Sequence, residues 1–226
     1  MIDRKRLYEK LPARRDAQKI YILCEGDSTE VDYFSFFTEM SSNLQLVVIP
    51  PIEHKSDPEK LKIAAEKYFL SEEKKYVLDA REKDMVWFVI DTDQWQEHGK
   101  IEILRNFCDE QNAKYEKQAY QMFQITQSNP CFEIWLYYHF FSSMPQQREV
   151  EASASMKEFV NDKINGGFNA LYHPIFINEA IDNSRTNYKE DCEKYPLIFS
   201  TQVFRLGEVI LRYAGEELKK KKRTLQ

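Results

Sequence analysis

The sequence predicts an α/β fold: a mostly parallel four-stranded sheet flanked by helices, with a C-terminal helical extension. Three observations predict it. Apolar runs of strand length alternate with helical patterns of about ten to fifteen residues, the signature of βαβ units. The strand-like runs are apolar on both faces, as strands covered on both sides are. From about Met144 onward the strand signals stop and only helical patterns follow.

The elements follow in order. KIYILCE (Lys19 to Glu25) is the first strand, apolar on both faces and therefore central. Ser28-Thr29-Glu30 opens a helix through VDYFSFFTEM, with hydroxyls able to cap it and an acid in its first turn. LQLVVIPP (Leu44 to Pro51) is strand two, closed by a double proline. DPEKLKIAAEKYFLSEEKK has Asp57 as a cap, Pro58 at the first helical position and apolar residues at helical spacing. MVWFVIDTD is strand three, the longest apolar run. Gly99 to Ala113 is amphipathic, QMFQITQ is strand four, and NPCFEIWLYYHFF reads as a helix beginning at its proline. Beyond a polar stretch, QQREVEASAS, the segments SMKEFVNDKI, PIFINEAIDNS and STQVFRLGEVILRYAGEELKKKK read as helices. Residues 1–143 form the sheet domain on this reading, and 144–226 a helical extension packed on it.

Composition narrows the class. The 226 residues are 42% hydrophobic and 14% aromatic, enough for a packed core, and six glycines argue against a repetitive fold. No apolar run approaches the roughly 20 residues of a membrane helix, and the basic start lacks the apolar region of a signal peptide. Cys24, Cys108, Cys131 and Cys192 lie far apart, without the spacing of a zinc ribbon or a disulfide framework. The expectation is a soluble cytoplasmic protein. The net charge of −5 does not itself propose a nucleic-acid partner, but basic residues crowd both ends as RKR, ARR and KKKKR. They form a phosphate-facing patch if the ends meet, and solvated tails otherwise.

Three acids stand where strands stop: Glu25 after strand one, and Asp91 and Asp93 closing strand three. Ligand sites in open parallel sheets lie beyond such carboxyl ends. Two residues apart in extended chain, Asp91 and Asp93 point the same way. Carboxylates about 4 Å apart repel by about 4 kcal/mol at an effective dielectric near 20. A hard divalent cation removes that conflict, and oxygen-only ligands favour Mg²⁺ or Mn²⁺ over zinc. D-x-D alone is also found in calcium loops, nucleotide-sugar transferases and haloacid-dehalogenase phosphatases.

The combination is more specific. An apolar strand ending in Glu-Gly, then an apolar strand ending in Asp-x-Asp roughly 65 residues later, resembles the Toprim domain of topoisomerases, primases and overcoming-lysogenization-defect nucleases. More closely, CEGDSTEVDYF, VWFVIDTDQW and SNPCFEIWLYYHF, in that order, resemble the RloB family of bacterial Toprim-like proteins. The resemblance implies a Toprim-like fold and a divalent-metal-dependent nuclease acting on DNA or RNA, tRNA included, as an anti-phage defence effector. Glu25, Asp91 and Asp93 would bind Mg²⁺ or Mn²⁺, Glu25 also serving as general acid or base, with Gly26 allowing a tight turn. Association with defence and restriction loci implies a partner ATPase, and a catalytically silent regulatory partner of that ATPase is the alternative. Whether the chain is a homodimer stays open.

Supporting residues carry two readings each. Glu30 is the further metal acid the resemblance implies, or a residue that only stabilises the helix dipole. Asp27 could instead be the turn acid that approaches the ion. Glu133, in an aromatic helix, either faces the acidic rim as a catalytic or second-metal ligand or pairs with a base such as Arg105. Asn129 caps the following helix or touches a phosphate. His139 lies six residues from Glu133 and reads as structural, Cys24 and Cys131 as core thiols, and Trp95 as a packing residue or a base-stacking one.

Overall fold

The computed structural model describes residues 11–52, 57–92, 99–115 and 120–224. A five-stranded sheet forms its centre: β1 (Gln18–Cys24), β2 (Leu44–Ile49), β3 (Met85–Asp91), β4 (Phe123–Asn129) and β5 (Ser200–Thr201), in the order β2-β1-β3-β4-β5. The first four strands are parallel, and β5 runs antiparallel to β4. Helices α1 (Thr29–Ser35), α2 (Pro58–Ala65), α3 (Lys100–Ala113) and α4 (Glu133–Tyr137) follow β1, β2, β3 and β4 in turn. Then come α5 (Gln147–Glu151), α6 (Met156–Lys163), α7 (Ile177–Asn187) and α8 (Val203–Thr224). This is the α/β architecture the sequence predicts, consistent with a Toprim-like fold, with one short strand more than expected.

Period-two alternation builds a core on each face. Ile20, Ile22 and Cys24 of β1 and Trp87 and Val89 of β3 pack against α1, α4, α6, α7 and α8. Tyr21, Leu23, Val86, Phe88 and Ile90 pack the other way, against α2 and α3. Helices from the C-terminal part therefore share one core with the sheet. Among the described residues no helix is long and apolar enough to cross a membrane.

Local chemistry explains where elements begin. The Asp57 carboxylate accepts the Lys60 amide at 3.0 Å, capping α2 with Pro58 in its first turn. Ser155 caps α6 the same way through the Glu158 amide. Ser28 makes no such bond at α1, which ends at Ser35 and gives way to turns before the expected Met40.

Two further boundaries differ from expectation. The helix expected from Pro130 begins only at Glu133, and Asn129 does not cap it. Asn129 is the last residue of β4, paired with Ser200, and its amide donates to Pro196 O at 2.8 Å. Its side chain is thus spent on the sheet edge. The polar stretch read as a loop contains the single turn and a half of α5.

The two basic ends lie far from the acids. The Arg14 amide bonds to Ser42 O just before β2, and Tyr213 of α8 donates to the Gln18 side chain at the first residue of β1. α8 starts beside β5 and runs back past the amino ends of the strands. The final lysines therefore stand about 20 Å or more from the carboxyl ends. Lys219, Lys220 and Lys222 pair there with Glu216, Glu217 and Glu179. The RKR of residues 4–6 lies outside the described residues.

Candidate functional site

β1 leads to its neighbour β2 on one side, and the chain then crosses over to β3 on the other. The carboxyl ends of β1 and β3 thus form the topological switch point, where open parallel sheets leave a crevice. Register brings Cys24 beside Val89, and the Glu25 amide continues the ladder to Val89 O at 3.0 Å. Glu25 Oε2 accepts the Asp91 amide at 3.1 Å. Two half-buried acids, 66 residues apart in the chain, meet at that point.

The next residues bring in a second pair of acids. Glu30, on the first turn of α1, is 5% exposed and accepts the Gly26 amide at 3.1 Å. Burial pushes its carboxyl pKa up; bonds from its own amide and that of Gly26 pull it down, while the nearby Glu133 and Asp27 carboxylates push it up again. Burial raises the Cys131 thiol well above its ordinary range, and Glu133 and Asp91 raise it further. Cys131 therefore lies between Asp91 and Glu133, which joins the two pairs into one acidic rim. Its thiol stays protonated and offers no soft ligand.

Gly26 serves this arrangement differently from the expected turn. Its φ is not left-handed; instead a methyl group there would collide with the Glu30 carboxylate.

The chain leaving β3 is held by polar groups of the sheet edge. The Thr92 amide donates to Ser128 O at 2.8 Å and Pro130 O at 3.1 Å, and its hydroxyl to Ser128 O at 2.8 Å. Gln127 Nε2 donates to that hydroxyl at 2.9 Å, and Ser128 and Thr201 join hydroxyls at 2.8 Å across to β5. Buried Gln202 closes the set, donating its amide to Gln127 O at 2.9 Å. Thr92, Gln127 and Gln202 were not singled out in the sequence, because nothing in their local pattern marks them as buried. They fix the backbone directly after Asp91.

Other candidates fall elsewhere. Asp93 and Trp95 lie outside the described residues. Arg105 does not pair with Glu133: its guanidinium donates to the Glu193 and Lys194 carbonyls and stacks 3.6 Å over Tyr195. His139 is buried, its Nδ1 bonding to Trp135 O at 3.0 Å and its Nε2 facing the Tyr33 hydroxyl at 3.1 Å. That pairing makes Nδ1 the donor and Nε2 the acceptor, and His139 a structural residue.

A family model for RloB-like proteins matches residues 20–210. The chain belongs to the RloB-like protein family. No curated protein and no solved structure matches it. The RloB-like match spans Glu25, Glu30, Asp91 and Glu133, the whole acidic rim, and runs on into α8.

The rim suits a hard cation by donor chemistry. Glu25, Glu30, Asp91 and Glu133 offer only carboxylate oxygens, and the one nearby thiol is held protonated. Among the described residues no three or more His, Cys, Asp or Glu side chains are gathered closely enough to hold an ion. The described acids approach as two pairs, Glu25 with Asp91 and Glu30 with Glu133.

Proposed function

We propose that this RloB-like protein is a divalent-metal-dependent nuclease that hydrolyses phosphodiester bonds in DNA or RNA, as an effector of bacterial anti-phage defence. The observation that carries the reading is the meeting of Glu25 and Asp91 at the β1–β3 switch point. Its oxygen donors and its resemblance to Toprim metal sites support Mg²⁺ or Mn²⁺ as the cofactor. Such an ion, held by Glu25, Asp91 and Asp93 with Glu30 as a further ligand, would polarise the phosphate and lower the pKa of an attacking water. Glu25 is placed to take or return a proton at one carboxylate oxygen while the other holds the Asp91 amide. The Glu30–Gly26 bond holds the turn between these acids, and Thr92 keeps Asp91 from drifting along the rim. A partner ATPase from the same locus is the second component this reading calls for.

The test is cleavage of single-stranded and duplex DNA, RNA and tRNA with Mg²⁺ or Mn²⁺, comparing wild type with Asp91→Ala and Glu25→Ala. The expected result is metal-dependent cleavage by wild type, reduced about 100-fold or more in both variants, on the scale of losing a catalytic metal ligand or acid–base group. Equal activity in all three removes the reading.

A further inference from the structure

Beside the acidic rim, on the α1 face of the sheet, lies a cleft of about 270 Å³ between α1, α4 and α6. Glu133 belongs to both, so the cleft opens directly onto the rim. Asp32 and Glu133 line it with hydrogen-bond acceptors, and Lys157 and Asn161 of α6 face them with donors. Phe168 supplies an aromatic wall. That ring is braced edge-on by His139 and His173, each with its ring centre 5.2 Å away. Lys157 and Asn161 are exposed, while Phe168 is half-buried.

This lining selects by chemistry. Two carboxylates against one ammonium make a poor seat for a compact anion such as free phosphate. A nucleotide unit matches it: one phosphate for Lys157, hydroxyl and amino donors for Asp32 and Glu133, and a flat base for Phe168. The base must be out of its stack to reach that ring, which points to a single strand. We propose that this cleft seats one unstacked nucleotide of a single-stranded polynucleotide, next to the bond cut at the acidic rim. The proposal rests on the nuclease reading for its second half only, because binding in the cleft is separable from cleavage.

The experiment measures binding of fluorescein-labelled oligothymidylate and oligouridylate, each of about twelve nucleotides, by anisotropy in EDTA so that metal-dependent cleavage is stopped. Lys157→Glu is expected to weaken binding about tenfold and Lys157→Gln about threefold, with a shallower salt dependence in both. Asn161→Ala should weaken it less, and Lys114→Glu, at the end of α3 on the opposite face, should bind as wild type does. The two strands separate a sugar that must carry a 2′-hydroxyl from one that need not. Wild-type binding to neither strand, or Lys157→Glu binding within about twofold of wild type, overturns the proposal. Asp91→Ala should bind like wild type without cleaving. If it cleaves as well as wild type, the nuclease reading fails while the cleft result stands.

Discussion

A methyl group on Gly26 would strike the Glu30 carboxylate, and Glu30 has little room to yield because it is buried between α1 and the turn. Each of these residues thus explains the other, which neither does alone in the sequence. His139 shows the same dependence on surroundings, with a consequence in solution. Burial holds its imidazole pKa down to about 3, whereas an unfolded histidine titrates near 6.5. Between those values the unfolded chain binds the extra proton and the folded chain does not. The stability associated with neutral His139 is therefore complete above about pH 6.5 and lost as pH falls toward 3, by at most about 1.4 kcal/mol per pH unit. His139→Gln keeps a donor and an acceptor for Trp135 and Tyr33 but cannot titrate. Urea denaturation should show wild type losing about 2 kcal/mol more than this variant between pH 7 and pH 5. Parallel pH profiles for the two proteins would sink this assignment.

At the scale of elements, β1 and β3 are joined at both ends by carboxylates with different duties. At the carboxyl ends, Glu25 binds the Asp91 amide and leaves an oxygen for chemistry. At the amino ends, Asp84 is fully buried and both its oxygens are used, accepting the Lys19 amide at 2.8 Å and the Asp79 amide at 2.9 Å. Lys19 Nζ adds an ion pair at 3.5 Å. Asp84→Ala would strand two amides, so a loss of about 2–4 kcal/mol is expected, read from the urea midpoint. Asp84→Asn, which keeps one acceptor, should lose less; unchanged midpoints in both would contradict the anchoring role. The four long strands were legible because their apolar runs are continuous and their helices periodic. β5 was not, since two hydroxyl residues carry no period and become a strand only when Ser128 and Thr201 meet. Asp84 also escaped notice, as an acid before an apolar run looks like a solvated loop until its amide partners arrive from elsewhere in the fold. Asn129 misled for a related reason: its position suits a cap, but the β4–β5 edge claims its side chain first.

Across the whole molecule, charge is sorted along the strand axis. Glu25, Asp91, Glu30 and Glu133 gather at the carboxyl ends, while the lysines of α8 lie beyond the amino ends. The acid pairs could be expected from the sequence because strand ends in a parallel sheet converge by topology. The cleft beside them could not, since it joins α1 and α4 to α6 across more than a hundred residues. This polarity bears directly on how a polynucleotide is held. Lys219, Lys220 and Lys222 look in the sequence like a phosphate-binding tail, yet each faces a glutamate, and all three ammonium groups are about a third or more exposed. Exposed pairs of that kind contribute about 0–1 kcal/mol each. Leu218 is the last fully buried side chain of α8, so a chain ending there keeps the helix docked. Removing residues 219–226 should therefore lower the urea-measured stability by only about 1–2 kcal/mol and leave single-strand binding within about twofold of wild type. If binding instead falls as far as it does in Lys157→Glu, the strand runs the length of α8 and the lysine tail is part of its path. If it holds, the contacts that matter are those at the carboxyl end of the sheet, where the acids and Lys157 share one opening.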